Sequence, residues 1–188
     1  MAFDRSMIGR RCGEQIVVID RAPVSNLAAV LDDHRAVHRD VRAARAAGFE
    51  EVPAPPTYPF VMQHWGTRPE LLDEFGVEPV PPNPLSGVSD QLGHIGLVMA
   101  ELMAELGPGP VLHAEQEFTY HRTPLVGDVL RGGNTITDVY RKPSGDVELT
   151  FVVIETVWTD AHTGAPVMTN RFTAVHRPSS ARAKEPPA

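Results

Sequence analysis

The chain has 188 residues, 42% of them hydrophobic and 22% charged, and a formal net charge of −7. This balance suits one globular domain with a sizeable core; it excludes a clustered basic footprint for nucleic acid and a surface built for anionic membranes. No apolar run reaches the ~18 residues that span a bilayer, the start MAFDRSMIGRRCG lacks the apolar core of a signal peptide, and a single cysteine, Cys12, forbids an internal disulfide, so a cytoplasmic protein is expected.

In chain order, QIVVI (Gln15 to Ile19) is short and β-branched and predicts a strand. Ser25 and Asn26 suit the cap of a short helix through Leu27 to Leu31. Asp32 to Arg39 has no clean period and reads as a loop. Asp40 is a good N-cap for a helix over Val41 to Ala47, and Gly48 is a good residue to end it. The prolines of VPAPPTYP remove donors and push their neighbours extended. Tyr58, Phe60, Val61, Met62 and Trp65 open a buried helix that Gly66 and Pro69 interrupt, and Gly76 to Pro84 reads as a loop.

From Asp90 to Leu106, residues Ile95, Val98, Met99, Leu102, Met103 and Leu106 recur at helical steps until Gly107 to Pro110 stop them. Four strands follow: Val111 to Tyr120, Asp128 to Val139, Glu148 to Thr159 and Val167 to His176. In ELTFVVIETVW both faces carry apolar residues, which places the third of these centrally in the sheet. One buried helix wrapped by an antiparallel sheet covers both faces economically. This is an α+β hot-dog plan, one domain over 1–177 with a helical or loop insertion near 66–93 and a frayed tail over 178–188. Edge strands in such a sheet favour pairing of two protomers, as a homodimer or a heterodimer.

Three local patterns resemble the MaoC-like dehydratases and (R)-specific enoyl-CoA hydratases, particularly the branch related to the dehydratase region of type I fatty acid synthase. DDHRAVHRD with AARAAGF behind it (Asp32 to Phe49) is similar to the hydratase signature, in which an Asp and a His stand five apart. VPAPPTYPF (Val52 to Phe60) resembles the APPTF segment that enters the hot-dog helix. LHAEQEFTYHRTPLVGDVL (Leu112 to Leu130) is similar to the HGEQ-F-YHRPL-GD-L strand pair. The resemblance puts Asp33 and His38 at the catalytic positions. It departs from the signature at Asp32, where a Gly stands, at Arg35-Ala36, where Asn-Pro stands, and at Pro56, where a Gly donates N–H to the thioester oxygen.

Dehydrating a 3-hydroxyacyl thioester needs a base, a group that handles the hydroxyl or water, and an N–H donor for the enolate oxygen. His38 suits proton transfer at neutral pH and Asp33 suits orienting the water or hydroxyl. On a regular helix five residues rotate by roughly 140° off a common face, so the pair converges only on an irregular loop. The alternative is that Asp33 caps a turn and His38 is a hydrogen-bonded structural residue. The oxyanion donors are the N–H groups of Thr57 and Tyr58, unless Thr57 is simply an N-cap. Tyr58, Phe60, Met62 and Trp65 either line an acyl tunnel or form plain core. Arg39, Arg42 and Arg45 recur every third residue and either meet coenzyme A phosphates or a carrier protein, or form a solvated face. His113, Glu115 and Glu117 alternate along a strand without a convergent further ligand, so no metal is expected, and no cofactor beyond the thioester substrate.

These features point to a hydro-lyase of fatty acid metabolism interconverting (3R)-hydroxyacyl and trans-2-enoyl thioesters of CoA or acyl carrier protein. Two alternatives stay open. One is a non-catalytic acyl-binding subunit of a heterodimeric dehydratase, to which Pro56 points; the other is a hot-dog thioesterase.

Overall fold

The computed structural model describes residues 5–62, 69–78 and 104–179. Strand β1 (Arg11–Val18) is followed by helix α1 (Arg21–Val30), a 3₁₀ turn (Ala36–His38), and helices α2 (Val41–Ala46), α3 (Tyr58–Met62) and α4 (Pro69–Phe75). Strands β2 (Val111–Tyr120), β3 (Val129–Ser144), β4 (Val147–Asp160) and β5 (Pro166–His176) complete the described chain. They form an antiparallel sheet in the order β1-β3-β4-β5-β2. The described residues hold no helix long and apolar enough to cross a membrane.

The doubly apolar strand stands in the middle of the order as β4, flanked on each side by a long partner. The expected sequential meander holds only for β3, β4 and β5. β2 pairs with β5 instead of with its chain neighbour β3. The residues after β2 explain this: the N–H groups of both His121 and Arg122 donate to the Val167 carbonyl at the start of β5, so the chain leaves β2 already bound to that edge. Residues 121–128 then cross to β3 as a braced loop. Arg122 forks onto Asp128 (2.6 and 3.2 Å), and Asp128 Oδ2 also accepts the Leu125 N–H at 2.8 Å.

The inner face of the sheet carries two apolar clusters. One joins Val17, Leu130, Trp158 and Met168 to Val24, Ala44, Val52, Tyr58 and Met62 from the connecting segments. The other joins Ile136, Ile154, Val152 and Ala174 to Met7. Between them Asn134, Thr156 and Asn170 face one another across three strands, and Thr156 Oγ1 donates to Asn134 Oδ1 at 2.6 Å. Gly132 makes room for the Trp158 ring, since a Cβ there would lie 2.6 Å from Cζ3. The first cluster is the one that carries the site, because α1, α2 and α3 all bury a face in it.

The helices differ from expectation mainly at their ends. α1 begins at Arg21 with Asp20 as its N-cap, not at Ser25 and Asn26. Pro23 falls in the first turn, where a missing N–H costs nothing, and so does not stop the helix. α2 follows Asp40 as expected, with the carboxylate accepting the Arg42 N–H at 2.7 Å. The expected helix of residues 90–106 and most of the 66–93 insertion lie outside the described residues; of these stretches, α4 and a helical turn at 104–106 are described.

Candidate active site

The site is assembled by the way α1 ends. Asp32 takes a left-handed φ of 55° and is the one non-glycine among the described residues to do so. Its N–H bonds the Ala29 carbonyl (3.1 Å) while the Asp33 N–H bonds the Ala28 carbonyl (2.8 Å). This pair of bonds is a Schellman motif, which turns the chain sharply off the helix axis. Asp32 stands where the resembled signature has a glycine, the residue that adopts this conformation without steric cost. Asp33 emerges just past the bend, with its carboxylate accepting the Arg35 backbone N–H at 3.0 Å. The following 3₁₀ turn carries His38 inward, where its side chain is 5% exposed.

The bend brings the two predicted residues together: His38 Nε2 lies 3.4 Å from Asp33 Oδ2. On the other side of the ring, Nδ1 lies 2.8 Å from the Pro53 carbonyl. A carbonyl only accepts, so Nδ1 carries a proton and Nε2 is the atom available for proton transfer. Asp33 thus accepts a backbone N–H within the local turn and also faces the imidazole.

A third group enters this pair. The Arg35 guanidinium grips Asp33 through Nη2 (2.6 Å to Oδ2) and Nε (3.0 and 3.1 Å to the two oxygens), and the same Nη2 lies 3.2 Å from His38 Nε2. The Arg35 side chain and its backbone N–H together hold the Asp33 carboxyl far below the usual carboxylate range. The reciprocal bond raises the guanidinium's own pKa. Asp33 is therefore an anion at neutral pH and well into the acid range.

The Pro-rich segment lies against the imidazole and is pinned at each end. Pro53 bridges to Leu125, the Ala54 N–H donates to Pro124 O (2.9 Å), and the Val126 N–H donates to Val52 O (2.9 Å). The prolines cost this short ladder nothing, because the N–H groups it uses are those of Ala54 and Val126. At the other end, Tyr120 Oη donates to the Pro56 carbonyl. Of the two expected oxyanion donors, Tyr58 N–H is committed to Pro55 O at 2.9 Å, closing a turn. That leaves Thr57, which is exposed and stands on the far side of the peptide whose carbonyl Tyr120 holds.

The other expected contacts separate. Tyr58 (0% exposed) and Met62 (1%) are packed in the core cluster, which is the plain-core alternative of the two that the sequence left open, and not the wall of a tunnel. They lie on the inward side of α3, and burial pushes the Tyr58 phenol well above its usual range. Phe60 is half-buried and tilts against His113, whose ring also meets Phe172 edge-on. His113 thus sits among aromatic rings. Trp65 lies outside the described residues. Arg39, Arg42 and Arg45 do not share one helical face, because Arg39 precedes the N-cap Asp40 and only the other two lie on α2. Arg42 is exposed; Arg45 donates to the Glu50 carbonyl at 3.3 Å; the Arg39 carbonyl accepts Arg21 Nη2 at 2.7 Å.

Three supports were missed in the sequence. Ser25, read as a cap, lies inside α1 and donates its hydroxyl to the His38 carbonyl at 3.2 Å. Tyr120 was read only as strand. Arg35 was visible as a departure from the signature but had no role attached to it, although a cation two residues after a carboxylate on a loop is a signal for a local fork.

Residues 6–170 match the family described as "FAS1-like, dehydratase domain region". A UPF0336 protein of Saccharopolyspora erythraea is 29% identical over 178 residues, covering 94% of this chain and 93% of that protein. Among solved structures, the fold is similar to the ChsH1-ChsH2 complex from Mycobacterium tuberculosis (TM-score 0.64, 21% identity, 92% of this chain and 88% of that one). It is also similar to a C-terminally truncated HadBC (3R-hydroxyacyl-ACP dehydratase) complex from the same organism (TM-score 0.59, 16% identity, 90% and 96%).

Proposed function

Because the chain belongs to the FAS1-like dehydratase-region family and has the MaoC-like hot-dog fold, we propose that it is a hydro-lyase interconverting (3R)-hydroxyacyl and trans-2-enoyl thioesters of CoA or an acyl carrier protein. The observation that carries this reading is the 3.4 Å approach of a buried imidazole to a carboxylate that is kept ionised. In the dehydration direction His38 Nε2 takes the α-proton and, as an imidazolium, returns it to the departing 3-hydroxyl as water. Asp33 accepts a hydrogen bond from that hydroxyl and fixes its position. In hydration the same pair takes a proton from water as its oxygen bonds to C3. The Thr57 N–H is suited to the enolate oxygen, in the absence of an N–H at Pro56. Phe60 offers apolar surface for the acyl chain, and Arg39 and Arg42 are suited to the carrier's phosphates. No cofactor beyond the thioester itself enters this scheme.

A second reading is an acyl-binding subunit that works with another hot-dog chain. Pro56 at the oxyanion position favours it, and so do β1 and β2 as the two edges of the described sheet, with Leu112 on β2 55% exposed. The assay that separates the readings is hydration of crotonyl-CoA and longer enoyl-CoA thioesters by the purified chain, alone and with a candidate partner chain. Turnover by the chain alone supports the self-sufficient hydro-lyase; turnover only with the partner supports the subunit. Thiol release from acyl-CoA without hydration would point to thioester cleavage and remove both.

A further inference from the structure

Arg35 is placed to control the pair it touches. A water or 3-hydroxyl that is to exchange a proton with His38 while held by Asp33 must contact His38 Nε2 and an Asp33 oxygen together. In the structure one guanidinium nitrogen, Arg35 Nη2, makes both of those contacts, at 3.2 Å to Nε2 and 2.6 Å to Oδ2. Nδ1 must donate to the Pro53 carbonyl, and a guanidinium can only donate, so the Nε2 lone pair is engaged by Arg35. An imidazole whose lone pair is engaged cannot act as a base. Protonating Nε2 instead would set two cations 3.2 Å apart.

The guanidinium also has somewhere to go. The Arg35 side chain is 67% exposed, against 5% for His38 and 18% for Asp33. Its fork onto Asp33 is a surface ion pair of the kind that exchanges readily with solvent.

We propose that Arg35 is a gating residue: seated, its guanidinium fills the bridging position between Asp33 and His38, and the reacting oxygen enters only by displacing it. This rests on the reading of Asp33 and His38 as the hydration pair. The gate lowers the apparent efficiency of the enzyme by the fraction of time the guanidinium is seated, so a substitution that removes it raises kcat/KM by the reciprocal of the open fraction.

Two readouts on wild type, Arg35→Ala and Asp33→Asn test this. The first is crotonyl-CoA hydration at neutral pH, where Asp33 is ionised with or without Arg35. The second is the rate at which diethyl pyrocarbonate carbethoxylates His38, mapped by peptide mass spectrometry so that other histidines do not count. With a gate shut nine-tenths of the time, Arg35→Ala raises kcat/KM roughly tenfold and speeds His38 labelling by a similar factor. Asp33→Asn, which weakens the fork from its other end, also speeds labelling, and it carries the test should Arg35→Ala fail to fold. Unchanged labelling in the folded variants overturns the gate. Faster labelling with lower activity in Arg35→Ala overturns it too, because Arg35 would then act within turnover. Faster labelling with no hydration by any form keeps the gate and removes the hydro-lyase reading.

Discussion

His38 donates its Nδ1 proton to the carbonyl of Pro53 across 2.8 Å, and this one bond ties the imidazole to the segment that ends in Thr57. It fixes the tautomer and directs Nε2 toward Asp33. It also satisfies a carbonyl on a buried residue. His38→Ala therefore strips a partner from an enclosed acceptor and leaves a void, and the expected destabilisation is about 1–3 kcal/mol from the orphaned carbonyl alone. Urea unfolding of His38→Ala against wild type checks this; an unchanged midpoint would mean that the Pro53 contact does not hold the ring.

The Schellman turn at Asp32 leads to a stability prediction that runs the other way. A side chain at φ 55° is strained, and glycine adopts that conformation without a steric penalty. The Asp32 carboxylate itself faces the exposed His34 ring at 3.0 Å, a surface contact worth little. Asp32→Gly is expected to keep or raise stability, by up to about 1 kcal/mol, and to leave the Asp33 position unchanged. A clear loss of thermal stability in Asp32→Gly would refute the motif as described.

The depressed Asp33 carboxyl gives a pH dependence with a definite sign. Its ordinary value is 3.8, and in the folded chain Arg35 holds it well below that. The contribution of this fork to stability is then fully present above 3.8 and is lost as pH falls below it toward the folded value. Arg35→Ala returns the carboxyl toward its ordinary range. The difference in unfolding free energy between wild type and Arg35→Ala should be constant near neutrality and shrink in acid. Carboxyl ¹³C titration of Asp33 in both forms reads the same shift directly; coincident titration curves would exclude the fork as its cause.

How much of this was legible in the sequence depends on whether the signal was local. The strands were visible because β-branched residues cluster in them, and β4 was placed centrally because both its faces are apolar. The Asp40 cap and the Gly48 end of α2 were visible because capping acts within a few residues. The pairing of Asp33 with His38 was expected from the family resemblance, and the five-residue spacing added only that they could meet on a loop and not on a helix. Pairing of β2 with β5 was not legible, because it depends on Val167 accepting two N–H groups from a loop far away in sequence. Ser25 and Asn26 looked like caps because of their residue types, yet α1 already starts at Arg21 and Pro23 is tolerated in its first turn. The burial of Tyr58 and Met62 was undecidable from spacing, since a core face and a tunnel wall have the same period.

The role of His38 as the base is read directly from the rate of enoyl-CoA hydration by wild type and by His38→Gln, which keeps an amide able to bond Pro53 but supplies no titrating base. The assay uses whichever form, alone or partnered, gives turnover. If His38 is the base, hydration falls by about 10²–10⁴-fold while thermal unfolding stays near that of wild type. Hydration by His38→Gln at the wild-type rate would contradict that role.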